Sequence, residues 1–314
     1  MDITASNPAA RANRRAATGE LSRGFGSRER YGYLFLAPWF IGFFGLSVGP
    51  MIWSFYLSFT NFDLLTDPKW VGASNYIRMF TTDPKFMTSM RVTLFFVVLS
   101  VPLKLIAALT VALLLNRGMK GLPIYRALFY LPSLLGASVA IAILWRQIFA
   151  GNGLVNKFLA LFGIAGPSWI SNPSYSLWTL IILSVWQFGS PMIIFLAGLR
   201  QIPADVYEAA SLDGAGRWRQ FIKITLPLLS PVVFFNAIIQ TIEAFKNFTP
   251  AFIISGGTGN PINSTLFYTL YLYQEAFGFF RMGYASALAW VLLALVAIFT
   301  AFAFLTAKYW VHYD

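Results

Sequence analysis

Cysteine is absent from the 314 residues and histidine occurs once. The first absence excludes a disulfide framework and thiolate-ligated metal, and the second excludes a histidine-rich metal centre. No Gly-x-x-x-x-Gly-Lys-[Ser/Thr] sequence is present, so the chain lacks a phosphate cradle for ATP. A His-Glu-x-x-His pair, a Ser/His/Asp set and a carboxylate pair within an apolar run are likewise missing, and nothing points to an intramembrane enzyme. Charge is scarce too: Asp, Glu, Lys and Arg make up 11% of the chain, against roughly 25% in soluble domains.

What is present is apolar: 57% hydrophobic residues, 18% of the chain being aromatic. Six runs of spanning length lie at about 33–59, 93–115, 124–149, 175–199, 228–254 and 283–307. They imply an all-α, polytopic membrane bundle of six transmembrane helices. Some runs exceed the ~20 residues a bilayer requires, so tilts or kinks are expected. Pro38, Pro50, Pro102, Pro132, Pro191 and Pro250 lie in or at the ends of these runs, where neighbouring helices must satisfy the freed carbonyls.

A formal charge of +11 would suit a nucleic-acid partner only if the basic residues lined one polar face. Instead they cluster at the ends of the runs. With the N-terminus placed inside, the inner segments hold 14 basic residues and the outer ones seven, which puts both termini in the cytoplasm. Residues 1–30 read as a disordered cytoplasmic arm without a signal peptide, and 308–314 as a short cytoplasmic tail. In the first outer segment, Ile77, Phe80 and Phe86 are expected on an interfacial helix.

Several polar residues interrupt the spans. Lys104 lies about eleven residues from each end of its run, roughly 16 Å at helical rise, so it must face the bundle interior or a wet cavity. The fourth run carries Trp186, Gln187 and Ser190. The fifth carries Gln240, Glu243, Lys246 and Asn247, with 240, 243 and 247 on one helical face and Glu243 and Lys246 spaced to neutralise each other. Helix-packing contacts would account for polar residues of this kind one at a time. Amides and a carboxylate beside an aromatic face also fit the hydroxyl edges and C–H faces of a sugar ring.

Between the fourth and fifth runs lies the longest polar interruption of the C-terminal half, residues 201–227, on the inner side by the charge count. Pro203 opens a short helix with Asp205 and Glu208 toward its N-terminus, Asp213-Gly214 stops it, and a second helix follows over Arg217 to Ile224. An amphipathic connector on the bilayer surface would explain that pattern alone. The wording of the residues adds more. Glu208-Ala209-Ala210, Asp213-Gly214-Ala215, Ile224 and Leu226-Pro227 resemble the EAA signature loop of permease subunits of binding-protein-dependent ABC sugar importers. Trp70-Val71-Gly72, Leu114-Leu115-Asn116-Arg117, Leu131-Pro132 and Ser255-Gly256-Gly257 extend the resemblance over about residues 31–307.

The resemblance implies a type I ABC importer permease fold, with Glu208, Ala209, Ala210, Asp213, Gly214, Leu226 and Pro227 coupling the spans to separate ATPases. It implies a second, homologous permease, with this chain the first of a heterodimeric pair, plus two ATPase subunits and an extracytoplasmic solute-binding protein. ATP and magnesium would be used by the partners and no cofactor bound by this chain, whose other contacts would be lipid and a sugar, with no nucleic acid. Candidates for the substrate path are Trp186, Gln187, Glu243, Lys246, Asn247 and Lys104. The sugar stays open, a phosphorylated polyol included. The competing classes are an ion-coupled secondary transporter, with Lys104, Glu243 and Lys246 as coupling charges, and a non-transporting scaffold or channel.

Overall fold

The structure is a computed structural model that describes residues 33, 35–118, 121–136 and 138–312. The expected arm at 1–30 lies outside the described residues. The chain divides into two compact units, Met1–Tyr56 and Leu57–Asp314.

In the first unit a helix runs along Phe35–Leu57 (α1). Pro50 has no N–H to give the preceding turn, and the helix accommodates it with a π-helical stretch, Phe43–Val48, in which the Gly49 N–H donates to Phe44 O. Trp39 stacks on Phe43 with centroids 5.1 Å apart. Apolar side chains occur all round this helix, as lipid contact requires.

The second unit opens with a two-residue antiparallel ladder, Thr60–Asn61 (β1) with Lys69–Trp70 (β2), and a helix at Ser74–Thr81 (α2). Ile77 and Phe80 are exposed, whereas Phe86 is buried in the core against Tyr268, so it is not the surface anchor expected of it. Asp83 then caps the 32-residue helix Pro84–Leu115 (α3), its Oδ1 accepting from the Lys85 and Phe86 amides at 3.0 and 3.2 Å. The helix therefore starts nine residues before the expected span at 93. At about 1.5 Å per residue it is some 48 Å long, more than the ~30 Å hydrocarbon layer.

Further helices follow at Leu122–Leu135 (α4), Val139–Ile148 (α5), Leu154–Ala160 (α6), Pro173–Trp186 (α7), Gly189–Leu199 (α8), Ala204–Leu212 (α9), Arg217–Gln220 (α10), Leu226–Phe245 (α11), Thr249–Ser255 (α12), Tyr268–Tyr273 (α13) and Met282–Ala307 (α14). Among the described residues, five helical runs are long and apolar enough to cross a membrane, and a sixth is counted if α4 and α5, bent by 97°, make one span. The third run is thus a broken helix rather than a continuous one.

Within this unit α3 is the post against which α7, α8 and α11 pack. Its Ala108 and Ala112 are fully buried against Met192, Phe195 and Leu229, because small side chains let helix backbones approach. A second cluster gathers Phe96, Leu180, Phe245, Phe267 and Tyr268. The short apolar stretch around α13, too brief to read as a span, is buried rather than looped outside, and Tyr268 donates through its hydroxyl to Leu288 O at 2.8 Å. At the other end the tail folds back. Val311 is buried with Phe234, and the His312 N–H donates to Ser230 Oγ at 2.9 Å.

Asp83 also accepts hydrogen bonds from the Tyr271 and Tyr284 hydroxyls, tying α13 and α14 to the start of α3. Burial pushes its carboxyl up, but the two tyrosines and the two capping amides together hold it below the ordinary carboxylate value. Burial, and then the bond to Asp83, raise the Tyr271 hydroxyl, so it stays a donor. A folded-state pKa below the unfolded one means that the contribution is present above about pH 4 and is lost as pH falls through the lowered value. Asp83→Ala should cost about 2 kcal/mol through the lost cap and hydrogen bonds. The melting temperatures of variant and parent should differ at neutral pH and converge below about pH 4. A pH-independent gap would assign the loss to packing alone.

Candidate functional site

Three helix breaks meet in the second unit. Between α4 and α5 the chain turns near Gly136, between α7 and α8 at Gln187-Phe188, and between α11 and α12 at Lys246-Phe248. A break frees backbone groups that a membrane-spanning protein must satisfy. Ser133 meets part of that demand, its Oγ donating to Gln187 O at 2.9 Å and accepting from the Ser190 N–H at 3.0 Å. Gln187 crosses the other way, its Nε2 donating to Gly136 O at 3.1 Å. The approach requires glycine at 189, where a Cβ would lie 2.4 Å from the backbone Phe129 O, whereas one on Gly136 would lie 2.3 Å from the Gln187 side chain and displace it.

These breaks surround a cavity of about 330 Å³. Polar groups reach it from four sides: Lys104 on α3, Ser133 on α4, Gln187 and Ser190 at the α7–α8 break, and Gln240, Glu243, Lys246 and Asn247 on and just after α11. Phe96 and Phe248 supply aromatic surface. Glu243 and Lys246 form the ion pair their spacing predicts, at 3.1 Å, with side chains 60% and 58% exposed. Asn247 departs from expectation: α11 ends at Phe245, so Asn247 does not continue the helical face of 240 and 243, although it lines the same cavity. Lys104 faces this space, twenty residues from the start of α3 and eleven from its end, not midway as the shorter expected run implied. Trp186 is outside the described lining. It packs against Trp145 with rings tilted and centroids 5.8 Å apart, and the Trp145 indole donates to Thr179 O at 3.0 Å.

Ser133, Ser184 and Phe248 also line the space without having been singled out in the sequence. The one signal for Ser133 was its place between Pro132 and Gly136, two residues that weaken a helix.

The 201–227 segment folds as one short helix, α9, clasped against α10, which is not the separate short helix expected but runs on through a π-helical stretch, Phe221–Thr225, into α11. Pro203 caps α9, Asp213 ends it, and Gly214 takes a left-handed φ of 74°. The Ala215 N–H returns to Ala210 O at 2.9 Å. Gln220 Nε2 then donates to both Ser211 Oγ and Ala215 O at 2.9 Å, while the Tyr207 and Thr225 hydroxyls meet at 3.0 Å. The turn is therefore pinned rather than loose. Glu208, Ala209 and Asp213 are exposed, Ala210 is half-buried, and Leu226 and Pro227 begin α11. Leu212 and Trp218 are 90% and 73% exposed.

Residues 92–309 match the family described as the inner membrane component of binding-protein-dependent transport systems. The chain belongs to this family. The permease is 55% identical over 284 residues to the probable ABC transporter permease protein YesP of Bacillus subtilis (strain 168), covering 90% of this chain and 92% of that protein. It is 32% identical over 292 residues to the lactose transport system permease protein LacF of Rhizobium radiobacter, covering 90% and 97%. Among solved structures, a bacterial alginate ABC transporter in complex with an alginate pentasaccharide-bound periplasmic protein contains a chain of the same fold, with TM-score 0.77 and 21% identity, covering 90% of this permease and 95% of that chain. The permease is a multi-pass transport subunit of an ABC importer and not an enzyme, which sets aside the ion-coupled transporter and the scaffold.

Proposed function

We propose that this permease carries a sugar or sugar derivative, handed over by a solute-binding protein, through the cavity at the three helix breaks. The observation that carries the reading is the cavity's composition. Amides from Gln187, Gln240 and Asn247, hydroxyls from Ser133 and Ser190, and rings from Phe96 and Phe248 surround a space inside the spans. Such groups suit ligands with many hydroxyls and an apolar ring face. The names of relatives for lactose, arabinooligosaccharide and trehalose/maltose transport support the substrate class. Trp186 and the Trp145 ring it meets lie outside that lining, so the sugar contacts fall to the residues named above.

The clasped 201–227 segment is the lever. Glu208, Ala209, Ala210, Asp213 and Gly214 form its docking face and turn, and Leu226-Pro227 join it to α11. Two separate ATPase subunits grip it and a second permease completes the pathway, with ATP and magnesium handled by the ATPases. Both termini lie in the cytoplasm, the arm at 1–30 and the tail at 308–314 flanking a permease domain over 31–307.

Replacing Gln240 and Asn247 together by Leu should lower ATP-driven uptake about tenfold, since each hydrogen bond to a sugar hydroxyl contributes roughly 0.5–1.5 kcal/mol. Uptake of labelled oligosaccharide by cells carrying the whole transporter checks this. Unchanged uptake in the double variant would remove the cavity from the sugar's route.

A further inference from the structure

The cavity holds an unbalanced charge. Its ionisable lining comes from two helices only: Lys104 on α3, and Glu243 with Lys246 at the end of α11. The lining contributed by α4 and by the α7–α8 break is uncharged. Glu243 is engaged by Lys246 at 3.1 Å. Lys104 has no hydrogen bond or ion pair to any described residue, and the one carboxylate in the described lining is that same Glu243. Two cations thus share one anion. Lys104 lies twenty residues from the start of α3 and eleven from its end, and its side chain lines the cavity, so the nearest place for a further counter-charge is the cavity itself.

We propose that the sugar accepted here carries one acidic substituent, a carboxylate or a phosphate, and that Lys104 pairs with it while the amides and serines bind the hydroxyls. The inference rests on the importer reading above and narrows its substrate class. A neutral sugar would leave Lys104 desolvated beside an apolar ring, a cost that selects against it. An acidic one converts that cost into recognition and closes the charge count with Glu243 and Lys246 still paired.

The test uses cells carrying the complete transporter and labelled oligosaccharides from polysaccharide hydrolysates, separated by anion exchange into neutral and acidic fractions. The expected result is ATP-dependent uptake of an acidic fraction at least tenfold above the neutral one. Lys104→Met should lose that preference and Lys104→Arg should keep it. Elution and melting temperature of the purified complex confirm that both variants assemble. Carboxyl reduction of the fraction abolishes uptake if the group is a carboxylate, and phosphatase treatment does so if it is a phosphate. Uptake confined to the neutral fraction, or wild-type uptake of the acidic fraction by Lys104→Met, overturns the proposal and leaves the importer reading intact. Absence of uptake of either fraction overturns both.

Discussion

Glu208→Lys should reduce uptake by the assembled transporter at least about thirtyfold, because reversing one member of a desolvated charge pair costs some 2–5 kcal/mol. Glu208 stands exposed on α9, one turn before the Asp213-Gly214 stop, so the substitution disturbs no core contact. Its effect must therefore act through a partner. In the proposed coupling the 201–227 segment transmits force because it is tied at two points: Gln220 to Ser211 and Ala215, and Tyr207 to Thr225 at the root of α11. Movement of α9 then passes into the helix that carries Gln240 and Glu243 to the cavity. Glu208→Gln should cost less than the charge reversal. ATP hydrolysis and uptake measured together on the complex decide the matter. Normal coupling in Glu208→Lys would mean that no motor grips this face.

How far the sequence reveals this arrangement depends on whether a feature is local. The helix α9 and its stop are legible because their determinants sit beside one another: a proline opening and an Asp-Gly end. Most spans are legible from apolar length. Hydropathy is blind to a bend, however, and 124–149 reads as one run although the chain breaks at Gly136 into α4 and α5. The position of Asn247 was misjudged for a similar reason, since helical spacing presumes a helix that ends at Phe245. The buried turn at α13 is short, and burial by neighbours rather than its own length determines its place. The bonds of Asp83 to Tyr271 and Tyr284 span 188 and 201 residues, and no local pattern encodes them. The cavity occupies the middle ground. Lys104, Gln187, Glu243, Lys246 and Asn247 are visible as intrusions of polarity into apolar runs, while their convergence is a property of the three breaks.

Those breaks are held together by a contact that one methyl group should destroy. A Cβ at Gly189 would lie 2.4 Å from Phe129 O and 2.7 Å from Tyr130 Cα, both backbone atoms that no rotamer change can move. At Gly198, by contrast, the nearest obstacles are the Leu229 and Val232 side chains, each 2.9 Å away, which can rotate. Gly189→Ala must therefore push α8 off α4. The separation would also break the bridges of Ser133 to Gln187 O and Ser190 N, at about 1 kcal/mol each on top of roughly 1–3 kcal/mol of overpacking. A loss above about 3 kcal/mol is a large share of a typical 5–15 kcal/mol stability, so little assembled complex should be recovered. Gly198→Ala should assemble with a modest fall in melting temperature. Gel filtration and thermal melting of the two variants side by side test the distinction. Equal behaviour would show that α4 and α8 do not depend on close backbone approach at the cavity wall, and the cavity's construction from helix breaks would fail with it.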